Sequence, residues 1–157
     1  MNNNQYGVVK PFERNRYLED DERAKTALRK YFDSKDIWTC IRETYGADIK
    51  SLVRKDPDDV DSLYTIFHEV EVQKRWDEVW PSWWETFHIP YRKKRLIDSL
   101  PGRPLYFWSL NEHCTKAWCV DSKVVSKSKV KEVSNKVIDK GELFYKVPVS
   151  KCRYVEF

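Results

Sequence analysis

The run Tyr64-Thr65-Ile66-Phe67-His68-Glu69-Val70-Glu71-Val72-Gln73-Lys74 constrains this chain most. Its alternation has the period of a strand, so Ile66, Val70 and Val72 share one face while Glu69, Glu71 and Gln73 share the other. The apolar face needs a core to lie on. Carboxylates about 7 Å apart on one strand face repel each other, and a strand built only for packing avoids that unless the face is well solvated. An oxygen-ligated cation such as Mg²⁺ removes the conflict, which makes the segment a candidate metal-binding strand pressed against a core.

A further acid is needed, and Asp48 supplies it in Tyr45-Gly46-Ala47-Asp48-Ile49, where Gly46 permits a tight turn and Ile49 opens the next extended run. An Asp at the head of one strand, followed by Glu71-Val72-Gln73 on a hydrophobic strand, resembles the PD-(D/E)XK nuclease superfamily. Gln73 stands where most members carry lysine, and some restriction-enzyme members use Glu-x-Gln there. The segment that follows is similar too: tryptophan at Trp76, an apolar-Pro step at Ile89-Pro90, and the basic run Arg92-Lys93-Lys94-Arg95.

The resemblance implies an α/β (α+β) fold of restriction-endonuclease type, with a central mixed or antiparallel β-sheet flanked by helices. It implies a metal-dependent endonuclease that hydrolyses phosphodiester bonds in DNA, with RNA an open alternative. Asp48, Glu71 and the backbone carbonyl of Val72 would hold Mg²⁺ or Mn²⁺. Glu69 would complete the shell or take the proton, and Gln73 would orient the attacking water. Glu22, on an N-terminal helix, is the candidate additional ligand; the plain reading is a helix acid that serves only the macrodipole. Lys74, Arg92, Lys93, Lys94 and Arg95 are the candidate phosphate contacts. Alternation sends Lys74 to the face opposite Gln73, so it stands in for the missing lysine only if a bulge follows Gln73. The competing reading is a catalytically inactive, nuclease-like nucleic-acid-binding or regulatory protein of a virus or mobile element, and a third is a protein-binding factor that uses the tryptophan-rich segment as an interface anchor.

With 157 residues the chain has the size of a single domain spanning 1–157. Charge is unevenly spread: residues 1–90 carry 14 Lys/Arg against 18 Asp/Glu, and residues 91–157 carry 15 against 7. An acidic part beside a basic one suits a phosphodiester enzyme, and a solvated lysine surface is the bland alternative. The 4 cysteines form no C-x-x-C pair and are read as thiols. No apolar run approaches the ~20 residues of a membrane span, and the start lacks a signal-peptide pattern, so a cytoplasmic protein with no membrane partner is expected. A homodimer is a further expectation, for cutting both strands of a duplex. The chain has no Gly-rich phosphate loop, no G-x-S-x-G and no H-E-x-x-H, which argues against P-loop, serine-esterase and zinc-peptidase chemistry.

The local signals give an irregular arm over 1–17, a helix from Leu18 to about Asp33, and strands at 36–42, from Asp48, and from Leu63 after an Asp-Pro turn. In the helix, Ala24, Ala27, Leu28, Tyr31 and Phe32 form the apolar stripe, and Arg23, Lys25, Arg29 and Lys30 take other faces. Residues 104–111 and 116–121 read as a hairpin, 123–137 as a short helix or exposed connection, 143–148 as a strand and 151–157 as an edge strand. His68 should face the core side of its strand with a hydrogen-bond partner, and His88 should lie in a loop before Pro90. Most tryptophans should be core, with some faces free to stack on bases.

Overall fold

The computed structural model describes residues 14–41, 47–54, 56, 58–133 and 141–157. Most of the expected N-terminal arm and the Gly46 turn lie outside them. Helix α1 (Arg14–Ser34) is followed by strands β1 (Trp38–Ile41), β2 (Ile49–Arg54) and β3 (Leu63–Val72). Then come β4 (Thr86–Pro90), helix α2 (Lys94–Ser99), β5 (Leu105–Leu110), β6 (Lys116–Asp121) and helix α3 (Ser122–Lys127). Strands β7 (Lys129–Val133), β8 (Glu142–Pro148) and β9 (Arg153–Glu156) complete the order.

The result is a mixed α/β architecture with one sheet of 6 strands, ordered β1-β2-β3-β5-β6-β9, and one of 3, ordered β4-β8-β7. Strands β1, β2 and β3 form an antiparallel meander, whereas β5 runs parallel to β3. A parallel neighbour needs a crossover, and β4 and α2 supply it. This mixed sheet agrees with the expected α/β (α+β) class.

Alternation on β3 decides which core each residue joins. Val70, with Val72 packed alongside, lies against α1 with Ala24, Leu28, Phe32, Ile49 and Trp108. Phe67 joins the other core, made with Phe87, Ile89, Leu105, Phe107 and Val147 from the small sheet and its neighbours. Both faces of the large sheet are therefore covered, and Glu69 and Glu71 share a face with Phe67.

Several expectations need correction. Helix α1 begins at Arg14, so the arm is shorter than 1–17. Residues 86–90, including His88, form an edge strand instead of a loop, because Phe87 and Ile89 alternate into the core. Residues 129–133 form another edge strand where a helix or exposed connection was expected. The 104–111 and 116–121 hairpin, the strand at 143–148 and the edge strand near the C-terminus occur as expected.

Candidate active site

Strand β2 pairs with β3 so that Ile49 lies opposite His68, which brings Asp48, one position earlier, level with Glu69. There the Val70 backbone N–H donates to Asp48 Oδ2 at 3.0 Å. The other carboxylate oxygen faces Lys25 of α1 at 3.7 Å, and Lys25 is itself paired with Asp21 at 2.8 Å. Thus Lys25 does not sit on a remote helix face; it borders the site. Burial lifts the Asp48 pKa, the Val70 N–H and Lys25 pull it back, and Asp21 adds to the rise.

Glu69 is buried at 8% exposure. Its Oε1 accepts from Lys93 Nζ at 2.6 Å, while Oε2 is buried with no hydrogen-bond partner. Burial first, and then Asp48, push its pKa up to about 7 against the pull of Lys93. Glu71 is partly buried and also raised, by burial, with Lys93 and Arg92 opposing and Asp48 adding. Burial disfavours the Lys93 ammonium, but Glu69 and Glu71 outweigh it and hold its pKa above the ordinary lysine value. In register, Glu71 lies beside Ser109 of β5, and Ser109 beside Trp118 of β6. Ser109 Oγ and Trp118 Nε1 are both buried without a partner, so the acid-bearing face carries a row of polar atoms whose bonding capacity is unused.

This donor chemistry, hard oxygens with an unsatisfied buried carboxylate oxygen, fits an Mg²⁺-type cation. The geometry of the expected trio is looser. Among the described residues, the group of three His, Cys, Asp or Glu side chains whose ligand atoms all lie within 4.8 Å of one another is Asp77, Glu112 and His113. Asp48, Glu69 and Glu71 do not converge that closely, and Lys93 pairs with Glu69 within the cluster.

The remaining expected residues disperse. Gln73 leaves the acids: its Nε2 donates to the His88 carbonyl at 3.2 Å, and it lines a tryptophan-rich cavity. Glu22 is exposed on a groove with Arg23 and His113, and Asp21 takes the position facing Lys25 and the site. Val72 pairs with Leu110 and packs on the α1 side. Lys74 pairs with Asp20 of α1 at 2.8 Å and, like Gln73, borders the tryptophan-rich cavity. Arg92 lies 3.9 Å from Glu142, Lys94 pairs with Asp98 at 2.6 Å, and Arg95 is exposed. Of the basic run, Lys93 pairs directly with an acid of the cluster, and Arg92 acts on Glu71 as well. Sequence spacing could not show this, since Lys93 arrives on a tight turn from another strand.

Comparisons of the chain with protein-family models, with curated proteins and with solved structures return no match.

Proposed function

We propose that this protein is a divalent-metal-dependent phosphodiesterase acting on DNA, with its site at Asp48, Glu69, Glu71 and Lys93. The observation that carries the reading is the Lys93 ammonium, 2.6 Å from Glu69 Oε1 and stabilised also by Glu71, which brings a lysine to the acids although the motif position itself holds Gln73. Asp48 and Glu71 would hold the ion, and Glu69 Oε2, buried without a hydrogen-bond partner, is an oxygen free to join them. A bound Mg²⁺ or Mn²⁺ supplies charge stabilisation and an acidified water. The chain's own groups do the rest. Lys93 neutralises charge that grows on a phosphate oxygen, and Glu69, with its raised pKa, accepts a proton near neutral pH. The mixed sheet, its N-terminal helix and the Asp-then-Glu order along the meander support the same reading. Cytoplasmic location belongs to the proposal, supported by the free thiols of Cys40, Cys114, Cys119 and Cys152. Among the described residues no helix is long and apolar enough to cross a membrane.

A second reading, a binding protein without hydrolysis, is favoured by the engagement of Asp48 with Val70 and Lys25. Purified protein incubated with labelled plasmid, single-stranded and branched DNA, in Mg²⁺, in Mn²⁺ and in chelator, separates the two. Cleavage that requires metal and disappears in both Glu71→Ala and Lys93→Ala supports hydrolysis. Metal-independent cleavage, or none on any substrate, leaves the binding protein.

A further inference from the structure

The small sheet turns Phe87, Ile89, Tyr145 and Val147 into the core, and its opposite face carries chemistry that the acidic cluster does not use. Register places His88 opposite Lys146 and Lys146 opposite Lys129, so one row across that face reads His, Lys, Lys. The next row places Lys131 opposite Phe144. Like charges directly across a strand pair destabilise a sheet. Among the described residues neither Lys129 nor Lys146 has a carboxylate partner. Such a row calls for an anion from outside.

Two cavities meet on this face. One, of about 570 Å³, is lined by Lys123, Lys127, Lys129, Lys146 and Lys151. The other, of about 660 Å³, is lined by Arg75, Trp80, Trp83, Trp84, His88 and Phe144 among others, and Gln73 stands at its wall. Both include Thr86 and Lys146, so they adjoin as one groove, and among the described residues that line it Glu85 is the only acid. Trp83 is 77% exposed, an unusual state for so large an apolar ring without a partner. His88 lies against Phe144 in a tilted ring contact, with centres 5.6 Å apart, and its pKa is lowered by burial and then by Arg75, Lys146 and Lys131.

We propose that this groove binds a single-stranded polynucleotide, with an unpaired base stacked on Trp83 in the tryptophan cavity and the phosphates running over Lys146 and Lys129 toward the remaining lysines. Positive charge alone would accept any polyanion; the exposed indole at one end selects a strand whose bases are free to stack. The inference deepens the phosphodiesterase reading by naming its substrate form, and it rests on that reading for the choice of a nucleic acid. Gln73 links the two regions, because it continues the strand that carries Glu69 and Glu71 and reaches the cavity wall.

The test is a titration of the full chain with fluorescein-labelled oligodeoxythymidylate, and in parallel oligouridylate, in EDTA so that no metal-dependent cleavage occurs. Binding should quench tryptophan emission, and its log K should fall with log salt by about 0.7 per phosphate neutralised. Trp83→Ala should weaken binding at least about fivefold without changing the salt slope. The Lys129→Ala/Lys146→Ala double variant should weaken it and reduce the slope by about 1.4. Lys30→Ala, an exposed lysine on α1, should change neither. Melting curves check that each variant is folded. No binding at low salt, equal affinity for duplex DNA or heparin, or affinity untouched in the Trp83 and lysine variants each overturns the proposal. Binding without metal-dependent cleavage would remove the hydrolytic reading alone, and cleavage with unaltered binding by the variants would remove this one alone.

Discussion

Lys93 and Glu69 illustrate what a buried pair costs and what it sets. Their side chains are 21% and 10% exposed, so each charge depends on the other for the solvation it has lost. Lys93→Met should destabilise the protein by roughly 2–4 kcal/mol at pH 8 and by clearly less at pH 6. The sign follows from Glu69. Its folded pKa near 7 exceeds the usual carboxylate value, so the folded state favours the protonated form, and that contribution to stability is lost as pH rises through 7. Removing Lys93 raises this pKa further, so the orphaned charge is felt at pH 8. Adding Glu69→Gln should recover most of the loss; urea midpoints at both pH values check it, and a pH-independent loss would show that Lys93 matters only through its packing. His68 works in the opposite sense. Trp108 Nε1 donates to its Nδ1 at 3.0 Å, which fixes the proton on Nε2, where Ser51 Oγ lies at 2.8 Å. Burial lowers its pKa to about 3, so its contribution is complete above the ordinary histidine value of 6.5 and is lost as pH falls from there toward 3. Imidazole NMR at pH 5 should find His68 neutral and protonated on Nε2 while His113, raised by its hydrogen bond to Asp77, is charged. A charged His68 at pH 5 would contradict the network.

Elements differed in how plainly the sequence announced them. The hairpin of β5 and β6 was legible to the residue at Lys116–Asp121, because its apolar run is bounded by a polar turn. What fixes that turn was not legible. Asn111 is fully buried, accepts from the N–H groups of Thr115 and Lys116 at 2.8 and 3.0 Å, and donates to the Asp77 carbonyl and Thr115 Oγ1 at 2.7 and 2.9 Å. One amide thus ties the hairpin to the segment before β4. Asn111→Ala should cost about 2–4 kcal/mol, since it leaves buried donors and an acceptor unsatisfied. Thermal and urea unfolding read this directly, and a loss below about 0.5 kcal/mol would mean that the turn re-forms its bonds elsewhere. Strands β4 and β7 escaped the sequence reading for one shared reason: both are edges of the small sheet, with outward faces built from Thr86, His88, Lys129 and Lys131, so each supplies few inward residues to set a period. Their partner β8, central in that sheet, carries Tyr145 and Val147 into the core and was visible.

At the scale of the whole molecule, the sequence told which residues carry charge and which strand carries the acids, but not what stands opposite them. Asp48 and Glu69 were brought level by the β2–β3 pairing, an outcome of the meander that strand alternation anticipates. The positions of Lys93 and Gln73 depend on how β4 and its following turn cross to the small sheet, which no local period encodes. That crossing also separates the molecule's two charge regimes: the acids lie on the face of the large sheet, and the unpaired lysines lie on the outer face of the small one. If the acidic face holds a divalent ion, its binding must be linked to stability. An ion present at about 100 times its dissociation constant adds about 2.7 kcal/mol to the folded state. For a chain of this size that is roughly 5–10 °C in Tm. Because Asp48, Glu69 and Glu71 all have raised pKa values, the ion competes with protons, and the rise should be larger at pH 8 than at pH 6. Scanning calorimetry with Mn²⁺ and with Mg²⁺ should show this shift in the natural chain and lose it in Asp48→Ala. An Asp77→Ala variant is the necessary control, since Asp77, Glu112 and His113 form the tighter three-ligand group on the surface. A shift that survives Asp48→Ala and vanishes in Asp77→Ala would move the metal to that surface group and leave the acidic strand without an ion.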